Sequence, residues 1–238
     1  MAFTKEPWVI LSPIEQSIKA KIEKYGTPLK DWDISINYGI KTGCNEAFII
    51  SKEKKDELIA KDPKSAEIIR PILRGRDIKR YRYEFADLYL ICTFPSRHYN
   101  IDDFPAIKDY LENFGKNDEV HRKKYGDECW GKKRLGQTGE HGARAKTNNK
   151  WFETQNSISY WDEFNKPKIV YQELSQGSRF AYDTDGSFFV SNTAYLLTGE
   201  YLSYLLKILN SKIIEFAFRN YYSTSMGETG IRWLNQYV

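Results

Sequence analysis

The sequence predicts one α+β domain, with strands in groups and helices packed on them. Three observations carry that expectation. Amphipathic helical spacing recurs near both ends, at Ile14, Ile18, Ile22 and Tyr25 and again at Leu202, Leu205, Leu206, Leu209, Ile213 and Phe216. Between them lie apolar runs of strand length at residues 85–94, 168–173, 179–182 and 188–197. No internal repeat and no Pro/Ser-rich linker interrupts the 238 residues.

Each element has its own signal. Ser12 followed by Pro13, with Glu15 three residues on, forms a capping box that opens the first helix, and Gly26 closes it. Residues 32–50 read as two strands around the polar turn Lys41-Thr42-Gly43-Cys44-Asn45. Residues 51–60 read as a charged helix, and Asp62-Pro63 as the start of a short one ending at Arg70-Pro71. Phe104-Pro105 opens a helix with Ile107, Tyr110, Leu111 and Phe114 on one face, closed by Gly115. From 116 to 150 the periodicity disappears, and ten basic residues face five acidic ones. A Gly-rich loop with little structure is expected there, one that gains order against a polyanion. Asp183-Thr184-Asp185-Gly186 reads as a turn joining the last two strands.

Composition narrows the function classes. Mean hydropathy is −0.62, and charges break every apolar stretch before the roughly 18 residues a membrane span needs. Lys5, Glu6 and Pro7 stand where the apolar part of a secretory leader would lie. Cys44, Cys92 and Cys129 are too few for a disulfide framework, so a reducing cytoplasm is expected. A net charge of +4 with 15% aromatic residues raises the expectation of a nucleic-acid partner.

The search for catalytic motifs yields little. The sequence holds no phosphate-binding Gly-rich loop and no Gly-x-Ser-x-Gly elbow. Cys129 lies between His121 and His141, but the spacing fits no zinc finger and reads as solvated loop. Glu53-Lys54-Lys55 holds the Glu-x-Lys piece of a metal-dependent nuclease site without its Pro-Asp partner. Asp102-Asp103 reads as a helix cap. The basic segments carry more. Arg70, Arg74, Arg76, Lys79, Arg80 and Arg82 fall close together with Tyr81 and Tyr83 interleaved, residue types suited to phosphate and base edges.

Four blocks carry a family resemblance. Asn37-Tyr38-Gly39-Ile40-Lys41-Thr42-Gly43-Cys44-Asn45-Glu46-Ala47-Phe48-Ile49-Ile50 resembles the opening of the TaqI-like C-terminal specificity domain. Ile69-Arg70-Pro71-Ile72-Leu73-Arg74-Gly75-Arg76-Asp77-Ile78 resembles its Pro-x-Leu-x-Gly-x-Asp-Ile block. Lys166-Pro167-Lys168-Ile169-Val170 and Leu206-Lys207-Ile208-Leu209-Asn210-Ser211 are similar to its later blocks, and all four stand in the family order. The resemblance implies a fold like the target-recognition domains of type I specificity subunits. It also implies binding to double-stranded DNA for a fused adenine-N6 methyltransferase, often in a type IIG restriction enzyme. S-adenosylmethionine, and Mg²⁺ where the parent also cleaves, are implied for that parent and no cofactor for this chain. The methyltransferase Asn-Pro-Pro-Tyr motif is absent from the sequence, so the chain is expected to be a non-catalytic module of a longer protein. Residues 1–30 would form a linking helix and 31–238 the recognition domain.

The candidate DNA contacts fall into four groups. The polar turn supplies Lys41, Thr42 and Asn45. The basic cluster supplies Arg74, Arg76, Lys79 and Arg80, with Lys79 and Arg80 favoured for phosphate and Arg74 and Arg76 evenly split between contact and a structural turn. The loop supplies Arg122, Lys123, Lys124, Lys132, Lys133 and Arg134, and the later strands supply Gln172 and Arg179. Two rival readings stand beside this one: a free-standing metal-dependent nuclease, and a single-strand or RNA binder whose aromatic residues would be exposed.

Overall fold

In the computed structural model, which describes residues 11–136, 147–222 and 231–232, Ser12 caps the first helix as its sequence predicts. Its Oγ accepts from the Glu15 amide at 3.4 Å, and the Glu15 carboxylate accepts from the Ser12 amide at 2.7 Å. Helix α1 (Pro13–Tyr25) therefore starts from a closed capping box, which contributes about 1 kcal/mol. None of its residues is buried, and Tyr221 and Tyr222 hold it through the Glu15 carbonyl and the Glu23 carboxylate.

The chain continues through β1 (Ile34–Tyr38), α2 (Asn45–Phe48), β2 (Ile49–Ser51), α3 (Lys52–Lys61), β3 (Ile69–Leu73) and β4 (Leu88–Ile91). Three helices follow, α4 (Pro105–Glu112), α5 (Glu119–Tyr125) and α6 (Gly131–Gly136). Then come β5 (Lys168–Gln172), β6 (Leu174–Ser175), β7 (Phe180–Asp183), β8 (Phe189–Val190) and β9 (Ala194–Gly199). Helices α7 (Leu202–Leu209) and α8 (Lys212–Ala217), a π-helical turn at Phe218–Tyr222 and β10 (Ile231–Arg232) complete the described elements.

Two four-stranded sheets organise the molecule. One has the order β1-β9-β5-β7 and is antiparallel throughout. The other has the order β2-β4-β3-β8, with β3 and β8 parallel. A small pair joins β6 and β10. Side chains of the first sheet alternate between two cores. Ile169, Tyr171, Tyr195 and Leu197 pack with Leu202, Leu205 and Leu209 of α7. Val170, Ala181, Ala194 and Leu196 join the larger core shared with the second sheet. Both faces are buried, which explains the unbroken apolar run of β9. No helix among the described residues is long and apolar enough to cross a membrane.

The α+β expectation holds, with corrections. The two strands expected in residues 32–50 do not pair with each other, because β1 joins β9 and β2 joins β4. The turn at Asp183–Gly186 makes no hairpin either, since β7 pairs with β5 and β8 with β3. The short helix from Pro63 ends at Ile68 as a 3-10 turn, and Arg70-Pro71 belongs to β3. The last helix breaks at Asn210. That side chain is fully buried, donating to the Phe180 carbonyl at 2.9 Å and accepting from its N–H at 3.3 Å, while Ser211 caps α8. The structureless loop expected from 116 to 150 is wrong over α6 and over α5, the latter opened by Asp118, which accepts from the Val120 and His121 amides. Residues 137–146 of that segment, His141 included, lie outside the described residues.

Candidate nucleic-acid interface

Three segments distant in sequence run parallel into one edge. Leu73 leads into Arg74-Gly75-Arg76, Val190 into Ser191-Asn192-Thr193, and Gly39-Ile40 into Lys41-Thr42. The Ile40 N–H donates to the Val190 carbonyl at 2.8 Å, and the Ser191 N–H donates to the Leu73 carbonyl at 2.9 Å. The Gly75 N–H donates to Thr193 Oγ1 at 2.9 Å. On the other side, the amides of Gln155 and Asn156 donate to the carbonyls of Thr42 and Lys41 at 3.1 and 3.3 Å. Lys41, Arg76, Asn192 and Thr193 are exposed along this edge. Gln172 lies behind Gly75, half-buried, and its Oε1 has no hydrogen-bond partner among the described residues. Sequence reasoning missed Asn192 and Thr193; the only available signal was a polar Ser-Asn-Thr inside an apolar run.

The remaining turn candidates are engaged locally. Thr42 is buried, donating to Asn45 Oδ1 at 2.7 Å and accepting from the Cys44 amide at 3.1 Å, so it shapes the turn, while Asn45 stays exposed. Arg74 grips the buried Asp77 carboxylate through Nε and Nη2 at 2.9 and 2.8 Å, and the Arg74 amide adds a third bond at 2.8 Å. Arg80 donates to the Asn210 carbonyl, and Lys79 Nζ donates to the Arg76 carbonyl at 2.8 Å. Arg76 and the half-buried Arg179 have no ion-pair partner among the described residues.

Burial pushes the Asp77 carboxyl up, but the Arg74 hydrogen bonds and charge outweigh it and leave Asp77 below the usual aspartate range. A depressed carboxylate stabilises the fold fully above its unfolded pKa, and that contribution is lost as pH falls through the folded value. Asp77→Asn is therefore expected to cost about 2 kcal/mol at neutral pH and to flatten the loss of stability below about pH 4. Urea unfolding of both proteins across that range checks it; equal acid limbs would remove Asp77 from the account.

The α5–α6 region brings a second basic surface against the same turn. The Arg134 charge reaches the Cys44 thiol, and Lys124 feels Glu46. Arg122, Lys123 and Lys124 are exposed on α5, and the first two have no ion-pair partner among the described residues. Lys132 pairs with Glu112 at 2.8 Å and Lys133 with Glu128 at 3.3 Å. Arg134 is buried with its guanidinium 4.0 Å from the Tyr125 ring, so it packs the helices together and does not face a ligand.

The groups weighed for catalysis have structural partners. His121 is buried, not solvated, and its Nε2 donates to the Cys129 carbonyl at 2.9 Å. Cys129 is buried as well, so neither side chain is the solvated loop residue that the sequence suggests. Asp102 accepts from Lys108 Nζ at 2.6 Å and caps no helix, because Phe104 occupies that position in α4. Glu53 sits in the exposed first turn of α3. No cluster of three or more metal-ligating side chains occurs among the described residues.

Comparisons with known proteins bear on the family and the fold. The Type II methyltransferase M.BstVI of Geobacillus stearothermophilus is 25% identical over 240 residues, which takes in 98% of this chain. The chain spans only 37% of the length of that relative. A solved structure of the Type IIL restriction-modification enzyme MmeI in complex with DNA has the same fold over 89% of this chain and 25% of its own, with a TM-score of 0.55 at 15% identity. The type IIG restriction endonuclease BpuSI superposes with a TM-score of 0.49 at 16% identity, over 93% of this chain and 25% of that one. Residues 70–231, from the second strand of the parallel edge to the last described strand, match a sequence family, and the chain belongs to it: the TaqI-like C-terminal specificity domain.

Proposed function

We propose that the chain is the DNA target-recognition domain of a restriction–modification enzyme, supplying specificity to an adenine-N6 methyltransferase in the rest of a cytoplasmic polypeptide. One observation carries the reading most directly. Three parallel chain ends set exposed Lys41 and Arg76 beside the polar side chains of Asn192 and Thr193 on one edge. Cations hold phosphates and fix register, while amides and hydroxyls between them meet base edges. Helix α1 links the domain to its catalytic partner. S-adenosylmethionine, and Mg²⁺ where the parent also cleaves, belong on this reading to the parent. The single-strand alternative is weakened by the aromatic residues. Among the described ones only Tyr25, Tyr81, Tyr201, Tyr204 and Tyr222 are exposed.

Selection of duplexes from a randomised pool tests the reading, and an enriched motif is the expected result. Affinity for the selected duplex should fall steeply with salt, and Arg76→Ala, Arg122→Ala or Lys123→Ala should each reduce the log–log slope by about one. Equal affinity for single strands, or no enriched motif, would sink it.

A further inference from the structure

Residues 77–84 fold back into a tight hairpin. Ile78 bridges Tyr83, the Lys79 N–H donates to the Arg82 carbonyl at 2.8 Å, and the Glu84 N–H donates to the Asp77 carbonyl at 2.8 Å. Arg80 and Tyr81 form its tip. The base is locked in the core, since Ile78 is fully buried and the Tyr83 ring meets Phe188 edge-on at 4.9 Å. The tip is locked as well. The Tyr81 N–H donates to the Phe180 carbonyl at 2.8 Å, and Arg80 reaches the Asn210 carbonyl while its guanidinium lies 5.7 Å from the Tyr81 ring.

Tyr81 nevertheless sits in the left-handed region, with φ of 66°, which bulky side chains rarely adopt. Strain of this kind persists only where the surroundings enforce it, and such positions cluster at functional sites. The ring that this backbone presents is half exposed, at 51%, in a protein that hides most of its described aromatic rings. Arg76 stands beside the hairpin without an ion-pair partner among the described residues, and Lys79, which also donates to the Arg76 carbonyl, shares the exposed Glu84 with Arg82, at 3.8 and 2.9 Å. Exposed pairs of this type are weak and readily exchanged for phosphate.

We infer that Tyr81 is a wedge that stacks on a base of the bound duplex at a step the protein distorts, with Arg76, Lys79 and Arg82 on the flanking phosphates. The inference rests on the DNA-recognition reading above. Every base offers a π-face, so a rigid ring adds affinity without demanding a sequence, and a rigid ring also unstacks a step more easily than a mobile one. Distortion of this kind is what an enzyme needs when it must extrude a base from the helix.

Tyr81→Gly separates this role from a structural one, because glycine accepts the left-handed backbone without strain. The probe is the duplex that the unaltered chain selects from a randomised pool. Tyr81→Gly should melt at the same or a higher temperature, bind that duplex about tenfold more weakly, and abolish the permanganate-reactive thymine expected in the unaltered complex. Tyr81→Phe should keep both affinity and reactivity. Affinity of Tyr81→Gly within about twofold of the unaltered chain overturns the wedge, as does a complex whose thymines all stay unreactive. A lower melting temperature with unchanged binding per folded molecule assigns the ring to stability and overturns it too. If the unaltered chain selects no duplex, the recognition reading fails and the wedge falls with it. Loss confined to the wedge assays leaves that reading standing.

Discussion

Lys168→Met is expected to lower stability by about 3–5 kcal/mol. Lys168 is fully buried, with Nζ 2.5 Å from Asp183 Oδ2 and 2.7 Å from the Phe164 carbonyl. Burial pulls the ammonium below its ordinary range, and the Asp183 hydrogen bond and charge offset part of that. Removing the lysine leaves a carboxylate that is 1% exposed without its counter-charge. Asp183 also accepts from the amides of Ser187 and Phe188 at 3.1 and 2.9 Å, so the pair braces the turn that delivers β8 to the interface. Lys168→Met/Asp183→Asn should recover much of the loss, because the buried charge is then gone while one amide acceptor remains. Urea unfolding of the two variants checks this. A single variant within about 1 kcal/mol of the unaltered protein would show that Asp183 is satisfied without its lysine.

Gly39→Ala is expected to cost about 3 kcal/mol and to reduce affinity for the selected duplex roughly tenfold per folded molecule. A Cβ at this position would stand 1.9 Å from the Ser191 carbonyl oxygen and 2.7 Å from that of Ala194. Those neighbours are backbone, so no rotamer change relieves the clash. Either the Gly39-Ile40 segment or the Ser191 segment must move, and Lys41 then separates from Asn192 and Thr193. The stability loss alone would also follow from an ordinary packing position. The coupled loss of DNA affinity would not, and measuring binding on the fraction that remains folded decides between them.

The parts of the fold written in local chemistry were legible. Ser12 and Glu15 announce α1, and the apolar spacing of Ile107 and Leu111 announces α4, whose inner face they form. What the chain does over long range was not. The turn at Asp183–Gly186 has hairpin chemistry, yet sheet membership of β8 is decided by β3, far earlier in the sequence. A helix running on from Leu209 satisfies every local rule, but the Asn210 side chain is claimed by both backbone groups of Phe180. In α5 and α6 the inward positions are His121, Gly131, Arg134 and Leu135, so only one reads as apolar and the period is masked. The candidate site shows the same division. Basic residue types were visible, but partners were not. Arg74, favoured as much for contact as for structure, spends its guanidinium on Asp77, while Arg76 beside it stays exposed. Asn192 and Thr193 gain meaning only once Ser191 is seen beside Leu73 and Ile40.

The parallel edge also dictates an order of assembly. Its closing bond, from Gly75 to Thr193, spans 118 residues, whereas α3 and the β5–β7 ribbon need only near neighbours. Closing so long a loop carries an entropic penalty before any contact rewards it, and folds rich in such contacts form slowly. A refolding chain therefore regains its helices and the β5–β7 and β3–β4 ribbons while the edge, and the β1–β9 pair whose partners lie still further apart, are open. The surface proposed to read DNA therefore forms late, and an incompletely folded chain lacks it.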